Sequence, residues 1–207
     1  TSRVIRALSE VEVPVGVREL ASVAQVSPGS VSKLLVTLAA EGIVDRDARG
    51  ALTGVRRRSL LRRWVQDYGY ATTNPGLGYW LAPRGLAQVT DRLAKQEGVA
   101  VTGSAAARRL LPPDATSVVP LRLFALYAAS PRRLAEQLGL VEADAATANA
   151  VIVAPQDQRI LPQAGEPVAL APTALVLADL LTLPGRSDAE AEQLMDALAA
   201  TDPSWKE

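Results

Sequence analysis

The sequence contains neither cysteine nor histidine. Without thiolate or imidazole groups the chain cannot form a Cys/His metal site, a Ser-His catalytic pair or a cysteine nucleophile. An enzyme would be left with carboxylate, Ser-Lys or magnesium-dependent chemistry. We therefore expect a protein that is not an enzyme and that requires no cofactor and no metal.

Long apolar runs are lacking as well. No stretch of about eighteen uncharged apolar residues occurs, and the first residues, TSRVIRALSE, lack the apolar core of a signal peptide. These features favour a cytoplasmic protein that does not contact a membrane. With 207 residues, 48% of them hydrophobic, the chain is long enough for two small domains with separate cores.

The chain as a whole has no excess of either charge, but its charges are segregated. Residues 1–70 contain 11 basic and 7 acidic residues, a net charge of +4, and the remainder carries −4. Seven arginines lie within residues 44–63. Such a stretch can be a solvated helix face, but a basic module joined to an acidic one indicates that the basic module binds a polyanion.

Three helices are predicted within residues 1–42. Apolar residues at helical spacing mark the first in SRVIRALSE and the second over residues 17–24. Ser27 followed by Pro28 is a typical helix start and Gly42 a typical helix end, which predicts a third helix over about residues 28–41. The tight turn between the second and third helices indicates a helix-turn-helix.

The segment after the third helix has the pattern of a β-hairpin. A strand at Ile43 and Val44, a turn over residues 47–50 and a return strand over residues 51–53 predict a wing over about residues 43–54. This order of elements is that of winged helix-turn-helix regulators. We accordingly expect a DNA-binding domain over residues 1–70.

This layout predicts eleven DNA-binding residues. The outer side of the third helix would contact bases in the major groove, the wing would reach the minor groove or nearby phosphates, and the next arginines would bind the backbone. The residues are Ser27 and Gly29 at the helix start; Ser30, Ser32, Lys33 and Thr37 for bases; Arg46 and Arg49 on the wing; and Arg56, Arg57 and Arg58 for the backbone.

The rest of the chain has the pattern of a linker followed by a second domain. Residues 71–85 are rich in Gly, Pro and Asn and contain one short predicted strand at residues 79–82. Over residues 86–207 strand and helix patterns alternate, which predicts a mixed α/β domain. The expected fold class is therefore α+β, with an N-terminal winged helix-turn-helix domain followed by a mixed α/β C-terminal domain.

Several local patterns define the second domain in more detail. A long strand is predicted over residues 118–128 and a short strand pair at residues 159–162 and 168–171. Ser187 with Glu190 predicts a capping box at the start of the last helix.

Two features of the second domain allow a chemical or a structural interpretation. VTGS, residues 101–104, resembles the opening of the nucleotidyltransferase fold. The strand that follows lacks the paired carboxylates that would hold magnesium, which favours a tight turn with Ser104 as a helix cap. Asp179 lies in the apolar helix LVLADLL, which can indicate a carboxylate with a perturbed pKa. The alternative is an ordinary carboxylate with a partner such as Arg186 or at an exposed position, and we favour this alternative.

The order of motifs beyond the wing is similar to that of the AbiEi antitoxin family of type IV toxin-antitoxin systems. The motifs are RRSLLRRWVQDYG, GYWLAPRGL, VAVTGSAAARRLLP, LFALYAAS, NAVIVAP and ALAPTALVLADLLTLPGRSDAEAEQLMDAL. The resemblance implies a winged domain that represses its own operon at inverted repeats of double-stranded DNA. It also implies a C-terminal domain that opposes a separate nucleotidyltransferase toxin and supports cooperative binding on DNA, with a homodimer as one possible form.

Three hypotheses follow for the function. The first is a sequence-specific regulator of transcription, an autorepressor of the antitoxin type. The second is a regulator whose C-terminal domain binds a small molecule. The third is a divergent nucleotidyltransferase or nuclease that would use Asp114, Asp157 or Asp179 with magnesium.

Overall fold

The computed structural model describes residues 1–163 and 165–206. These residues divide into two units, one formed by residues 1–67 with the segment from Met195 onward and the other by residues 68–194. Both differ from the predicted domains. The C-terminal segment belongs to the first unit, and residues 71–85 belong to the second unit instead of forming a linker.

The first unit has the order of elements predicted for a winged helix-turn-helix domain. Its elements are α1 (Ser2–Glu10), α2 (Val17–Ala24), α3 (Pro28–Ala40), β1 (Val44–Arg46), β2 (Leu52–Val55), α4 (Arg57–Trp64) and, near the C-terminus, the 3-10 helix Pro203–Trp205. Strands β1 and β2 pair antiparallel, and Val15 adds a bridge to Leu52 through two backbone hydrogen bonds of 3.0 and 2.9 Å. The predicted wing is thus confirmed, with its second strand extended to Val55.

One apolar core supports the helices and the wing of the first unit. Leu8, Leu20, Leu35, Leu52 and Leu60, from helices α1 to α4 and strand β2, are completely buried. Burying a leucine side chain contributes about 1.5–3 kcal/mol, so these contacts are the main source of stability for the unit. They also determine which faces of α2 and α3 remain exposed.

The second unit is built on a mixed sheet. Its elements are α5 (Tyr70–Thr73), β3 (Gly78–Leu81), α6 (Leu86–Leu93), β4 (Val99–Thr102), α7 (Gly103–Leu110), β5 (Phe124–Ala128), α8 (Pro131–Leu138), β6 (Val141–Glu142), β7 (Ala150–Val153), the 3-10 helix Gln158–Ile160, β8 (Ala169–Leu170), α9 (Thr173–Leu180) and α10 (Ser187–Ala199), of which the part from Met195 is assigned to the first unit.

The strand order of this sheet explains why residues 71–85 are not a linker. Within the described residues the order is β6-β3-β7-β5-β4-β8, so β3 has a neighbour on each side. The pairs β5/β7 and β4/β8 are parallel, and the other neighbouring pairs are antiparallel. Every residue of β4, β5 and β7 is buried, as expected for strands covered on both faces.

Two strand predictions in the second domain are wrong. The strand predicted over residues 118–128 is confined to Phe124–Ala128, because Pro120 lacks an N–H group and the Val118 N–H donates to the Gln193 side chain at 3.0 Å. Residues 159–162 form no strand, and the predicted partner strand pairs instead with β4.

Candidate nucleic-acid interface

The start and end of α3 are determined by local hydrogen bonds, as its sequence predicts. Ser27 is the N-cap, and its Oγ accepts a hydrogen bond from the Ser30 N–H at 3.3 Å. At the other end Gly42 has a φ of +70°, and the N–H groups of Gly42 and Ile43 donate to the carbonyls of Ala39 and Leu38 at 3.0 and 2.8 Å. These are the two bonds of a Schellman motif. They end the helix where the wing begins.

The cap provides a direct test of how α3 is held. We expect Ser27→Ala to lower the free energy of unfolding of the first unit by about 1 kcal/mol, because a first-turn N–H loses its acceptor. Urea denaturation measures the change. Ser22→Ala, at an exposed position of α2, is the control that should not destabilise the unit; equal losses in both variants would contradict the role of the cap.

The outer face of α3 contains most of the residues predicted to contact bases. Val31, Leu35 and Leu38 face the core, and the exposed side holds Ser30, Lys33, Val36 and Thr37, with Gly29 at its start. Ser32 is half-buried at the flank of this face. The Lys33 ammonium has no hydrogen bond or ion pair with any described residue. The structure thus brings these residues together on one surface, as the arrangement of a recognition helix requires.

Val36 is a candidate contact residue that sequence reasoning missed. Its side chain is 56% exposed, between Lys33 and Thr37 on the outer face. An apolar residue in a helix is usually assigned to the core, so its identity alone does not mark it for DNA contact. Its position around the axis of α3 does mark it for DNA contact, because Val36 lies opposite the buried residues of the helix. A valine in this place offers a methyl contact to thymine.

The wing turn presents one of its two predicted arginines to solvent. The Asp47 carboxylate accepts hydrogen bonds from the N–H groups of Arg49 and Ala51 at 2.9 and 2.8 Å, which organises the turn. The Arg46 guanidinium folds back and donates to the Gly50 carbonyl through Nε at 3.2 Å and Nη2 at 3.1 Å. The Arg49 guanidinium has no partner among the described residues and is exposed at the tip.

Arg56 is also engaged within the wing. Its Nη1 donates to the Gly42 carbonyl at 2.7 Å and forms a 3.3 Å ion pair with Asp45. These contacts connect the end of α3 to both strands of the wing. The guanidinium stays exposed, so a phosphate contact is compatible with them.

Arg57 and Arg58 have intramolecular roles that differ from the predicted backbone contacts. The Arg57 side chain is only 13% exposed; it pairs with Asp202 and donates to the Val11 carbonyl at 2.8 Å. Its burial lowers the pKa of the guanidinium. Arg58 donates to the Trp205 carbonyl at 3.1 Å and pairs with Asp196 at 2.6 Å. Both side chains attach the C-terminal segment to α4.

A further exposed cation of the first unit was missing from the prediction. Arg18 lies in the first turn of α2 and has no hydrogen bond or ion pair with a described residue. Together with Lys33 and Arg49 it is a cation available to DNA. The helix-turn-helix assignment could have indicated Arg18, because the helix that precedes a recognition helix crosses the DNA backbone.

The three acids considered for catalysis do not form a metal site in the structure. Asp114 is exposed in the loop before β5, and Asp157 pairs with Arg159 at 2.9 Å. Among the described residues no group of three or more His, Cys, Asp or Glu side chains is placed to hold a metal ion.

Asp179 has neither of the environments favoured from the sequence. Its carboxylate is completely buried and accepts hydrogen bonds from the hydroxyls of Tyr68 at 2.6 Å, Tyr127 at 2.8 Å and Thr102 at 2.5 Å. Burial raises its pKa to about 7, against the lowering effect of these hydrogen bonds. The prediction of an exposed face or an Arg186 partner is therefore wrong, because the partners come from the sheet and from Tyr68.

The comparison with known families bears on the first unit. Residues 1–48 match the family described as the IclR helix-turn-helix domain. The match spans α1, α2, α3 and β1, which are the elements that carry the exposed face described above. The chain is a DNA-binding transcriptional regulator, and its partner is double-stranded DNA.

The match confirms the helix-turn-helix and does not extend to the antitoxin resemblance. No curated protein and no solved structure matches the chain. None of the helices in the described part of the chain is long and apolar enough to cross a membrane.

Proposed function

We propose that this regulator represses transcription by placing α3 in the major groove and the tip of the wing on the adjacent backbone. The observation that carries the proposal is one surface on which Ser30, Lys33, Val36 and Thr37 are exposed and the Lys33 ammonium has no partner among the described residues. Arg49 and Arg18 supply cations for phosphates. In this proposal the chain acts by binding and performs no catalysis.

We further propose that the regulated gene is its own, as for an autorepressor of the antitoxin type. This part rests on the order of sequence motifs from RRSLLRRWVQDYG to the last helix. It requires an inverted-repeat operator occupied by two copies of the chain, as a homodimer or cooperatively on DNA. It also requires a nucleotidyltransferase toxin encoded nearby as the second partner.

Recovery of genomic fragments bound by the purified chain tests both parts. Enrichment of an inverted repeat upstream of its own gene supports the autorepressor, and a Lys33→Ala/Arg49→Ala variant should lose the enrichment. Enrichment elsewhere retains the DNA-binding proposal and rejects autoregulation. No enrichment at moderate salt rejects both parts.

The wing makes a quantitative prediction. Arg49→Ala should weaken binding to all DNA sequences and reduce the slope of log affinity against log salt by about 1, because one phosphate contact releases about 0.9 counterions. Fluorescence anisotropy across a salt series measures the slope. Arg84→Ala, which removes an exposed cation of the second unit, is the matched control. A slope unchanged by Arg49→Ala would remove the wing tip from the interface.

A second candidate function is that of a regulator controlled by a small molecule. It is favoured by a cavity of about 220 Å³ in the second unit, formed by residues before and within the sheet and by the turn after α9. A compound that raises the melting temperature and releases DNA would support it. A compound that binds without affecting DNA binding would contradict it.

A further inference from the structure

The cavity of the second unit has a mostly apolar interior. Its apolar lining includes Tyr70, Leu123, Ala148, Val151 and Leu183. The Tyr70 hydroxyl donates to the Leu126 carbonyl at 2.7 Å, with the Val151 carbonyl at 3.2 Å, and accepts from the Leu126 N–H at 3.2 Å, so its polar end is satisfied and its ring contributes apolar surface. The volume, about 220 Å³, is below the roughly 300–1,000 Å³ of sites for drug-sized ligands. The occupant is therefore small.

Two polar side chains that line this cavity make no side-chain hydrogen bond or ion pair with a described residue. Arg122 is exposed at the rim, and its guanidinium makes no hydrogen bond or ion pair with a described residue. Tyr79, half-buried in β3, contributes a hydroxyl that likewise has no hydrogen-bond partner among the described residues. The third polar side chain, Thr182, is satisfied, since it donates to the Ala178 carbonyl at 3.0 Å and accepts from the Tyr70 N–H at 3.1 Å.

We propose that this cavity binds a small apolar monocarboxylate. The guanidinium of Arg122 would hold the carboxylate, the Tyr79 hydroxyl would donate a hydrogen bond to it, and the hydrocarbon or aromatic body would lie against Tyr70, Val151 and Leu183. An arginine fork matches the two oxygens of a carboxylate. A phosphate ester carries up to two charges, which a single cation among apolar walls does not balance. A monocarboxylate is the anion that fits both parts of the site.

The Asp144 carboxylate, in the loop that contributes Ala145 and Ala148, makes no ion pair with Arg122. It accepts hydrogen bonds from the Ala146 N–H at 3.0 Å, the Thr147 N–H at 2.9 Å and the Thr147 hydroxyl at 2.8 Å. These bonds lower the pKa of Asp144, the hydroxyl of Thr147 being the main cause. The acid thus stabilises its own turn.

The test compares acids with their neutral amides as probes. Benzoate and phenylacetate are titrated against the full chain by isothermal calorimetry and by NMR, with benzamide and phenylacetamide as their matched amides. The acids should bind at least about tenfold more tightly than the amides, as expected for a charge-assisted bond in place of a neutral one. Equal affinity for acids and amides, or no binding of either acid at millimolar concentration, would overturn the proposal.

Single substitutions then locate the site. Arg122→Gln should weaken the acids about tenfold and leave the amides unchanged, and Tyr79→Phe should weaken the acids by a smaller factor. Arg133→Gln is the control, because Arg133 is an exposed arginine that lines a different and more polar cavity. An equal effect of Arg122→Gln and Arg133→Gln would show that the acids respond to general charge and would reject the site.

This inference deepens the second candidate function, and the two can fail separately. Acid binding that depends on Arg122 but does not change DNA affinity would retain the monocarboxylate site and reject its regulatory role. DNA release by the acids that persists in Arg122→Gln would reject the site and leave ligand control to another part of the chain.

Discussion

Raising the pH from about 5 to about 7 should lower the free energy of unfolding of the second unit by about 2 kcal/mol, with a slope near 1.4 kcal/mol per pH unit at pH 5 that falls as the folded-state pKa is reached. The cause is Asp179, whose pKa is about 7 in the folded state and 3.8 without the effect of the fold. Between these values the folded protein retains a proton that the unfolded chain has released, so stability falls as the pH rises. Above about pH 7 both states are ionised and the loss levels off.

The absence of histidine leaves few other groups that titrate in this pH range. In a chain without histidine and cysteine, the α-amino group is the only other group with an ordinary pKa between about 5 and 8. Urea unfolding followed by the fluorescence of Trp80, which is buried in β3, reports the second unit when Trp64 and Trp205 are replaced by phenylalanine. Any slope over this range is then assigned to Asp179.

The matched variants distinguish a buried acid from a general charge effect. Asp179→Asn should abolish the pH slope, because the amide does not titrate. Asp91→Asn, at an exposed position in α6, should keep it. Tyr68→Phe removes a hydrogen bond that lowers the pKa of Asp179 and should therefore move the end of the slope to higher pH. A slope that survives Asp179→Asn would contradict this assignment.

Asp179 also shows which part of the structure a single sequence predicts. Its place in a helix followed from the local pattern, but its hydroxyl partners lie 52, 77 and 111 residues away in the chain. The Ser27 cap and the helix end at Gly42 were predicted, and the hydrogen bonds that form them span only three to five residues. Hydrogen bonds between neighbours in the chain could therefore be predicted from the sequence, whereas the environment of a buried charge could not.

Glu190 illustrates the same limit at the start of α10. The spacing from Ser187 predicted a capping box, and the helix does begin at Ser187. However, the Ser187 hydroxyl donates to the Pro184 carbonyl at 2.9 Å, and the Glu190 carboxylate accepts from Ser104 and from Ser117, the latter at 2.8 Å. The start of the helix was thus predicted correctly, but the capping box on which the prediction rested is replaced by hydrogen bonds to other parts of the chain.

The arginine cluster was the feature whose function was hardest to predict. Charge composition indicated a polyanion partner for the basic module, but Asp196, Asp202 and the Trp205 carbonyl, which engage Arg57 and Arg58, lie 138 to 147 residues further along the chain. Composition does not reveal such partners. Of the two wing arginines, Arg49 has a guanidinium without a partner among the described residues, while that of Arg46 bonds to the Gly50 carbonyl; DNA contact by either stays a prediction.

Arg57→Ala should lower the free energy of unfolding of the first unit by about 2–3 kcal/mol and leave the salt dependence of DNA binding unchanged. The substitution removes the charge partner of Asp202 and the donor to the Val11 carbonyl, and a lost hydrogen bond to a charged group costs about 1.5–3 kcal/mol. With Trp80 replaced by phenylalanine, the fluorescence of Trp64 and Trp205, both buried in this unit, follows its unfolding in urea. Arg49→Ala should give the opposite result, with unchanged stability and a reduced salt slope.

Arg57→Ala and Arg49→Ala together distinguish an arginine that stabilises the fold from one that contacts DNA. Asp202→Asn provides the matched partner variant: if Arg57 acts through Asp202, the double variant should be less destabilised than the sum of the single ones. Arg57→Lys should recover only part of the lost stability, because an ammonium group cannot reach a carboxylate and a carbonyl with two fixed arms. A reduced salt slope in Arg57→Ala at unchanged stability would instead assign Arg57 to DNA, and the composition of the cluster would then have indicated its role correctly.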